Sequence, residues 1–173
     1  MNQWFMLTVV GKDKPAIVAH VAAALFEGDC HLGEASMLRI GGNFTIMMMV
    51  KHDGNEKSLL VLIEPVTQSL GLRAHVDRID GELHHHVEPD VCITVHGADR
   101  AGIVAKVTGA LVEVGLNILS LESDVAGTED QPIYIMSIEG QAMEGIASLE
   151  SALSTLVEQG VEAHLRPIEA VFA

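Results

Sequence analysis

A repeated loop-and-helix motif and an apolar pattern of strand, helix, strand, strand, helix, strand in each half predict an α+β fold. It consists of two ferredoxin-like βαββαβ units, each a four-stranded antiparallel sheet with two helices on one face. Residues 11–21, Gly-Lys-Asp-Lys-Pro-Ala-Ile-Val-Ala-His-Val, return as residues 97–107, Gly-Ala-Asp-Arg-Ala-Gly-Ile-Val-Ala-Lys-Val. One structural unit has therefore been used twice. Leu72-Arg73-Ala74-His75-Val76 and Val161-Glu162-Ala163-His164-Leu165 rhyme near the ends of the two copies. A unit of roughly 80 residues suffices for one small core. The expected boundaries are 1–80 and 90–173, joined by a linker at 81–89.

Each element has its own signal. The first strand, near 5–10, and its counterpart near 91–95 are rich in Val, Ile and Thr. Asp13 and Asp99 stand where a helix should begin and read as N-caps, with Pro15 tolerated in the first turn. Ile17, Val21 and Leu25, and again Ile103, Val107 and Leu111, recur at spacing four and present one apolar helix face. Gly28 and Gly115 follow as expected left-handed C-caps, although the repeat alignment offsets them by one position.

A strand over 35–40, the turn Gly41-Gly42-Asn43 and a strand over 44–50 make a hairpin. Its counterpart runs over 119–125 and 133–138, and the longer turn near 127–131 is expected to absorb three extra residues. The second helices carry Leu59, Ile63, Val66 and Leu70, and Ile146, Leu149, Leu153 and Leu156, ending near Gly71 and Gly160. The last strand of the first copy alternates, with Leu72, Ala74 and Val76 on one face and Arg73, His75 and Asp77 on the other.

Residues 44–50 are apolar on both faces except for Thr45, whereas helices cover only one face of such a sheet. The open face of the first unit is therefore expected to be covered by another copy or another chain. A homo-oligomer is the expectation.

Composition narrows the function. The chain of 173 residues is 49% hydrophobic, as a compact folded protein requires. It has no apolar run of the ~18–20 residues that span a bilayer, and no basic leader with a cleavage site. No membrane association is expected, and the chain reads as cytoplasmic. A net charge of −14 opposes direct nucleic-acid binding, because such affinity comes mainly from neutralising phosphates. Cys30 and Cys92 are too few for a disulfide framework, and Cys92 reads as a small buried hydrophobe.

Neither catalysis nor a metal is indicated. G-x-S-x-G, G-x-x-x-x-G-K-[ST] and a strand-to-helix G-x-G-x-x-G are all missing from the sequence. His84-His85-His86 lacks partners at the spacing of a four-ligand zinc site. His75 and His164 read as solvated. The expectation is no catalytic residue, no metal and no cofactor. The loop between first strand and first helix is the best candidate site: backbone N–H groups at a helix start attract anions, and small residues let a carboxylate approach. Gly97, Asp99, Arg100 and Gly102 have that character.

The pattern Gly-x-Asp-[Lys/Arg]-Pro-Gly-Ile-Val, followed after a helix by Gly-x-Asn-Ile, resembles the ACT domain, a regulatory amino-acid-binding module. Two such domains together with Gly41-Gly42-Asn43-Phe44-Thr45-Ile46-Met47-Met48 resemble the glycine cleavage system transcriptional repressor family. The resemblance implies a noncatalytic sensor whose domains pair through edge strands and bind glycine or serine. It implies action on a DNA-binding transcriptional activator rather than on DNA.

Transferred residue by residue, it implies ligand contacts from Gly97, Asp99, Arg100, Ala101, Gly102, Ile103, Asn117 and Ile118 in the second copy. In the first copy it implies Gly11, Asp13, Lys14, Pro15, Ala16, Ile17 and His31. The first copy departs at Ala16 and at His31, which stand in the glycine and asparagine places; the second departs at Ala101. Because Gly102 is retained, the second loop is expected to be the better site, and Gly102→Val to weaken binding more than folding if the backbone there is helical. Two other readings are a structural pairing module without ligand and a detached regulatory subunit of an enzyme of amino-acid metabolism.

Overall fold

The computed structural model describes residues 3–80, 87–98, 102–128, 131–158 and 160–168. The chain divides into two compact units, Met1–His84 and His85–Ala173. In the first, β1 (Gln3–Lys12), α1 (Ile17–Glu27), β2 (His31–Ile40), β3 (Asn43–His52), α2 (Glu56–Leu70) and β4 (Leu72–Ile79) form an antiparallel sheet in the order β2-β3-β1-β4. In the second, β5 (Val91–Ala98), α3 (Ile103–Glu113), β6 (Leu116–Thr128), β7 (Gln131–Ala142), α4 (Ile146–Glu158) and β8 (Glu162–Pro167) repeat it as β6-β7-β5-β8. This is the ferredoxin-like βαββαβ fold, twice.

Alternation along β1 buries Phe5, Leu7 and Val9 completely, and the stripe Ile17, Val21 and Leu25 of α1 packs into the same core with Leu59 and Ile63 of α2. Val91, Ile93 and Val95, with Val107, Leu111 and Leu149, repeat this in the second unit. Each such side chain contributes roughly 1.5–3 kcal/mol by leaving water. In α2 the stripe continues through Thr67, whose hydroxyl donates to the Glu64 carbonyl, while Val66 and Leu70 are only partly buried. The expected three-residue step at Val66 is one position early.

Three local expectations are corrected. Helix α1 is capped by Ala16 in the left-handed conformation (φ 65°), with no side-chain cap; Asp13 pairs with Arg39 instead. Asp99 lies outside the described residues. Gly28 is not left-handed (φ −85°); Asp29 takes that conformation at φ 53°, as Gly115 does at φ 83°. The repeat register was therefore the better guide. Glycine at 28 serves packing, because a Cβ there would lie 1.9 Å from Leu62 Cδ1.

The third correction concerns the inserted residues. In both units the edge strand bulges at the same place, after Leu32 and after Ile118. Ala126 then faces Ile133 as Ile40 faces Asn43, and two further pairs, Gly127 with Pro132 and Thr128 with Gln131, extend the second hairpin. The insertion thus lengthens the paired strands, because ladder pairs add residues two at a time. Its four residues are offset by one lost before Gly160. The tip itself is outside the described residues.

Aspartate tolerates the left-handed region better than most residues but less well than glycine. Asp29→Gly should therefore stabilise the first unit by about 0.5–1 kcal/mol, read as a higher urea midpoint. A lower midpoint would mean that the Asp29 side chain stabilises the turn.

Candidate functional site

The loop from β1 to α1 borders a cavity of about 420 Å³. Gly11 brings β1 close to β4, where a Cβ would stand 2.7 Å from Leu72 Cδ2. The chain then turns, with the Asp13 N–H donating to the Gly42 carbonyl at 3.0 Å and so tying the loop to the β2–β3 hairpin. Lys14 Nζ donates to the Leu70 carbonyl at 2.7 Å, placing its charge on the C-terminal end of α2. Both tethers fix the loop, and both start from residues that line the cavity.

The floor is apolar, formed by Pro15, Ile17, Val18, Met37 and Phe44; Asp13 and Arg39 stand at the wall as an ion pair. Phe44 pairs with Gly11 on one side and Arg39 on the other, so the register carries Arg39 to the loop. Asp13 is 22% exposed and Arg39 66%. The cavity therefore offers both signs of charge over an apolar base.

The helix start beside it is open. Neither Ala16 (φ 65°) nor its counterpart Gly102 (φ 86°) supplies a side-chain cap to the helix that follows. Helix α2 differs, because Asn55 and Ser58 form a reciprocal capping box there. An uncapped first turn leaves N–H donors for an incoming anion. His20, one turn on, donates its Nδ1–H to the Ala16 carbonyl at 2.7 Å and steadies the left-handed residue.

The structure brings Asp13, Lys14, Pro15, Ala16 and Ile17 together at the cavity, with Gly11 directly behind it. His31 begins β2 opposite Lys51, six residues from Met37 and so about 20 Å along the strand. It does not line the cavity. In the second unit, Gly97 lies in β5 with Ile103 Cδ1 3.2 Å from where its Cβ would be, and Ile103 is buried. Asn117 pairs with Gln141 and Ile118 with Gly140 at the start of β6. Asp99, Arg100 and Ala101 lie outside the described residues, as does His84-His85-His86.

Sequence reasoning missed Val18, Met37, Arg39 and Phe44. The two-residue turn Gly41-Gly42, with φ of 57° and 73°, was the available signal, since it sets Arg39 opposite Phe44.

Away from this cavity, Cys30 Sγ lies 3.4 Å from His52 Nδ1, and His52 Nε2 lies 2.9 Å from Ser58 Oγ. Burial, and secondarily Asp29, push the Cys30 thiol up, so it is held in its protonated form. Cys92 is buried as expected. Among the described residues no group of three metal-ligating side chains converges, and no helix is long and apolar enough to cross a membrane.

Comparison with known proteins agrees with this architecture. Family models described as the ACT domain match residues 3–77 and 93–156. UPF0237 protein YjhC of Lactococcus lactis is 36% identical over 72 residues, which are 41% of this chain and 83% of that protein. A crystal structure of an unknown protein from Galdieria sulphuraria superposes with a TM-score of 0.73 at 24% identity, over 98% of this chain and 100% of that one. A structure described as a "putative glycine cleavage system transcriptional repressor" superposes at 0.70 with 20% identity, over 98% and 99%. At those identities the two structures show a shared fold. With its sheet order and its left-handed helix starts repeated in both halves, the chain belongs to the ACT-domain family of regulatory proteins, as a tandem of two ACT domains.

Proposed function

We propose that the chain is a noncatalytic amino-acid sensor. Its specific role in this reading is a cytoplasmic, glycine-responsive repressor of glycine cleavage system transcription that acts through a DNA-binding activator protein. The observation that carries the sensor reading is the cavity at the β1–α1 loop, which joins an uncapped helix start to a carboxylate and a guanidinium. A zwitterion has the charges to satisfy all three. The name of the structurally similar repressor supports the glycine role. The charge of −14 supports an indirect effect on DNA.

Calorimetry of the full chain with glycine and with serine tests the sensor reading. Saturable binding of either is the expected result, and no binding by any amino acid would leave a pairing module. Capture of a DNA-binding protein rather than an enzyme of amino-acid metabolism separates the repressor from a detached regulatory subunit.

Pairing between copies belongs to the same proposal. On β3, Phe44, Ile46, Met48 and Val50 are buried, while Met47 on the opposite face is 47% exposed. Trp4, Met6, Val10, Leu38 and Met49 share that face by register, with Thr8, Ser36 and His75 in the row of Met47 itself. Met47→Asp should abolish self-association in sedimentation while circular dichroism stays unchanged, since a carboxylate pressed into an apolar interface lacks a partner. Unchanged assembly would show that this face does not pair.

A further inference from the structure

We propose that Arg39 is the specificity-determining residue of the first unit's cavity, and that it makes the two repeats unequal, so that each chain holds one strong site for a zwitterionic amino acid. The inference rests on the sensor reading above and assigns that site to the first unit.

The register supplies the comparison. Arg39 faces Phe44, which faces Gly11; at the same place in the second sheet Val125 faces Tyr134, which faces Gly97. The repeated framework therefore carries a guanidinium in one copy and an isopropyl group in the other. Nothing in the fold requires the arginine, because the second sheet forms the same ladder without it.

In the first unit the guanidinium rests on the Asp13 carboxylate. A pair this exposed is weakly held, because water screens it. An incoming amino acid can part it without leaving either charge unmatched: Arg39 takes the ligand carboxylate through two parallel N–H donors, and Asp13 takes the ammonium. Lys14 also lines the cavity, but one of its three ammonium donors is turned to the Leu70 carbonyl, and its point charge lacks the paired donors of a guanidinium. The pair thus selects for both charges of the ligand together. A carboxylic acid without the amine leaves Asp13 without a partner, and an amine without the acid leaves Arg39 without one.

Calorimetry of the full-length chain with glycine, serine, acetate and methylamine is the test, on wild type, Arg39→Met, Arg39→Lys and Val125→Arg. Wild type is expected to bind about one glycine per chain, with acetate and methylamine each weaker by about tenfold or more. Arg39→Met should lose about 10- to 100-fold in glycine affinity, the scale of a charge-assisted contact, and Arg39→Lys less. Thermal midpoints identify a merely structural role, which would lower stability and leave affinity unchanged. Glycine binding that survives Arg39→Met, or two equal sites per chain, overturns this assignment while leaving the sensor reading intact. Absence of glycine and serine binding by wild type overturns both. A second strong site gained in Val125→Arg would support the assignment further, and loss of the first site in that variant would contradict it.

Discussion

Gly140→Ala should destabilise the second unit by about 3 kcal/mol, the upper range for forcing a methyl group into a packed site. The Cβ would stand 2.4 Å from the Asn117 carbonyl oxygen and 3.0 Å from Leu116 Cδ1. A leucine tip can rotate aside, but a backbone carbonyl moves only with its strand. Gly140 lies between Val91 and Ile118 in the ladder, beside the bulge of β6. The equivalent residue in the first unit is Val50, fully buried opposite Leu32, so the fold accepts a side chain at this place and the clash belongs to the packing of the second unit.

Gly109→Ala in the same unit is the control: it sits in α3 with no described residue within 4 Å of the added methyl and should gain up to about 1 kcal/mol from helix propensity. Urea unfolding followed by circular dichroism reads both. Equal midpoints for Gly140→Ala and wild type would show that the β6 bulge yields without cost.

Much of the fold was legible because its signals are local. The spacing of Ile17, Val21 and Leu25 marks a helix face, and Gly41-Gly42-Asn43 marks a hairpin turn, which the structure closes one residue earlier with Asn43 paired to Ile40. Gly28 was misread for the complementary reason. Its glycine answers to Leu62 on another helix, which no local pattern shows, while the left-handed turn fell to Asp29. The repeat alignment already paired Asp29 with Gly115, so internal comparison carried information that residue preference obscured.

The lining of the candidate cavity was legible in its loop and not in its walls. Asp13 through Ile17 are contiguous and repeat, whereas Arg39, Met37 and Phe44 arrive by strand pairing. A lone arginine in an exposed strand has no local signature of function. Only the ladder from β2 through β3 to β1 shows that it reaches the loop.

Gly102→Val should cost about 2–3 kcal/mol in folding, a larger effect on stability than a helical backbone there would give. Gly102 has φ 86° and ψ 1°, outside the right-handed region, so valine meets its own backbone before it meets any ligand. Added to the left-handed cost of roughly 1–2 kcal/mol for an ordinary side chain is the crowding of a branched Cβ. Among the described residues nothing lies within 4 Å of a Cβ at 102, so strain sets the loss.

Ala16 shows the same conformation bearing a side chain, at φ 65°. Ala16→Gly should accordingly raise stability by about 1 kcal/mol, and Gly102→Ala should lower it by a similar amount, both in chemical denaturation. If Gly102→Val unfolds within 0.5 kcal/mol of wild type, about the limit for a neutral surface change, the left-handed cap is not held. The same geometry decides how the site must be probed, because valine here confounds lost binding with lost folding. Ala16→Gly keeps the cap, relieves its strain and leaves Asp13 and Arg39 in place, so a change in glycine affinity in that variant reports the approach to the helix start itself.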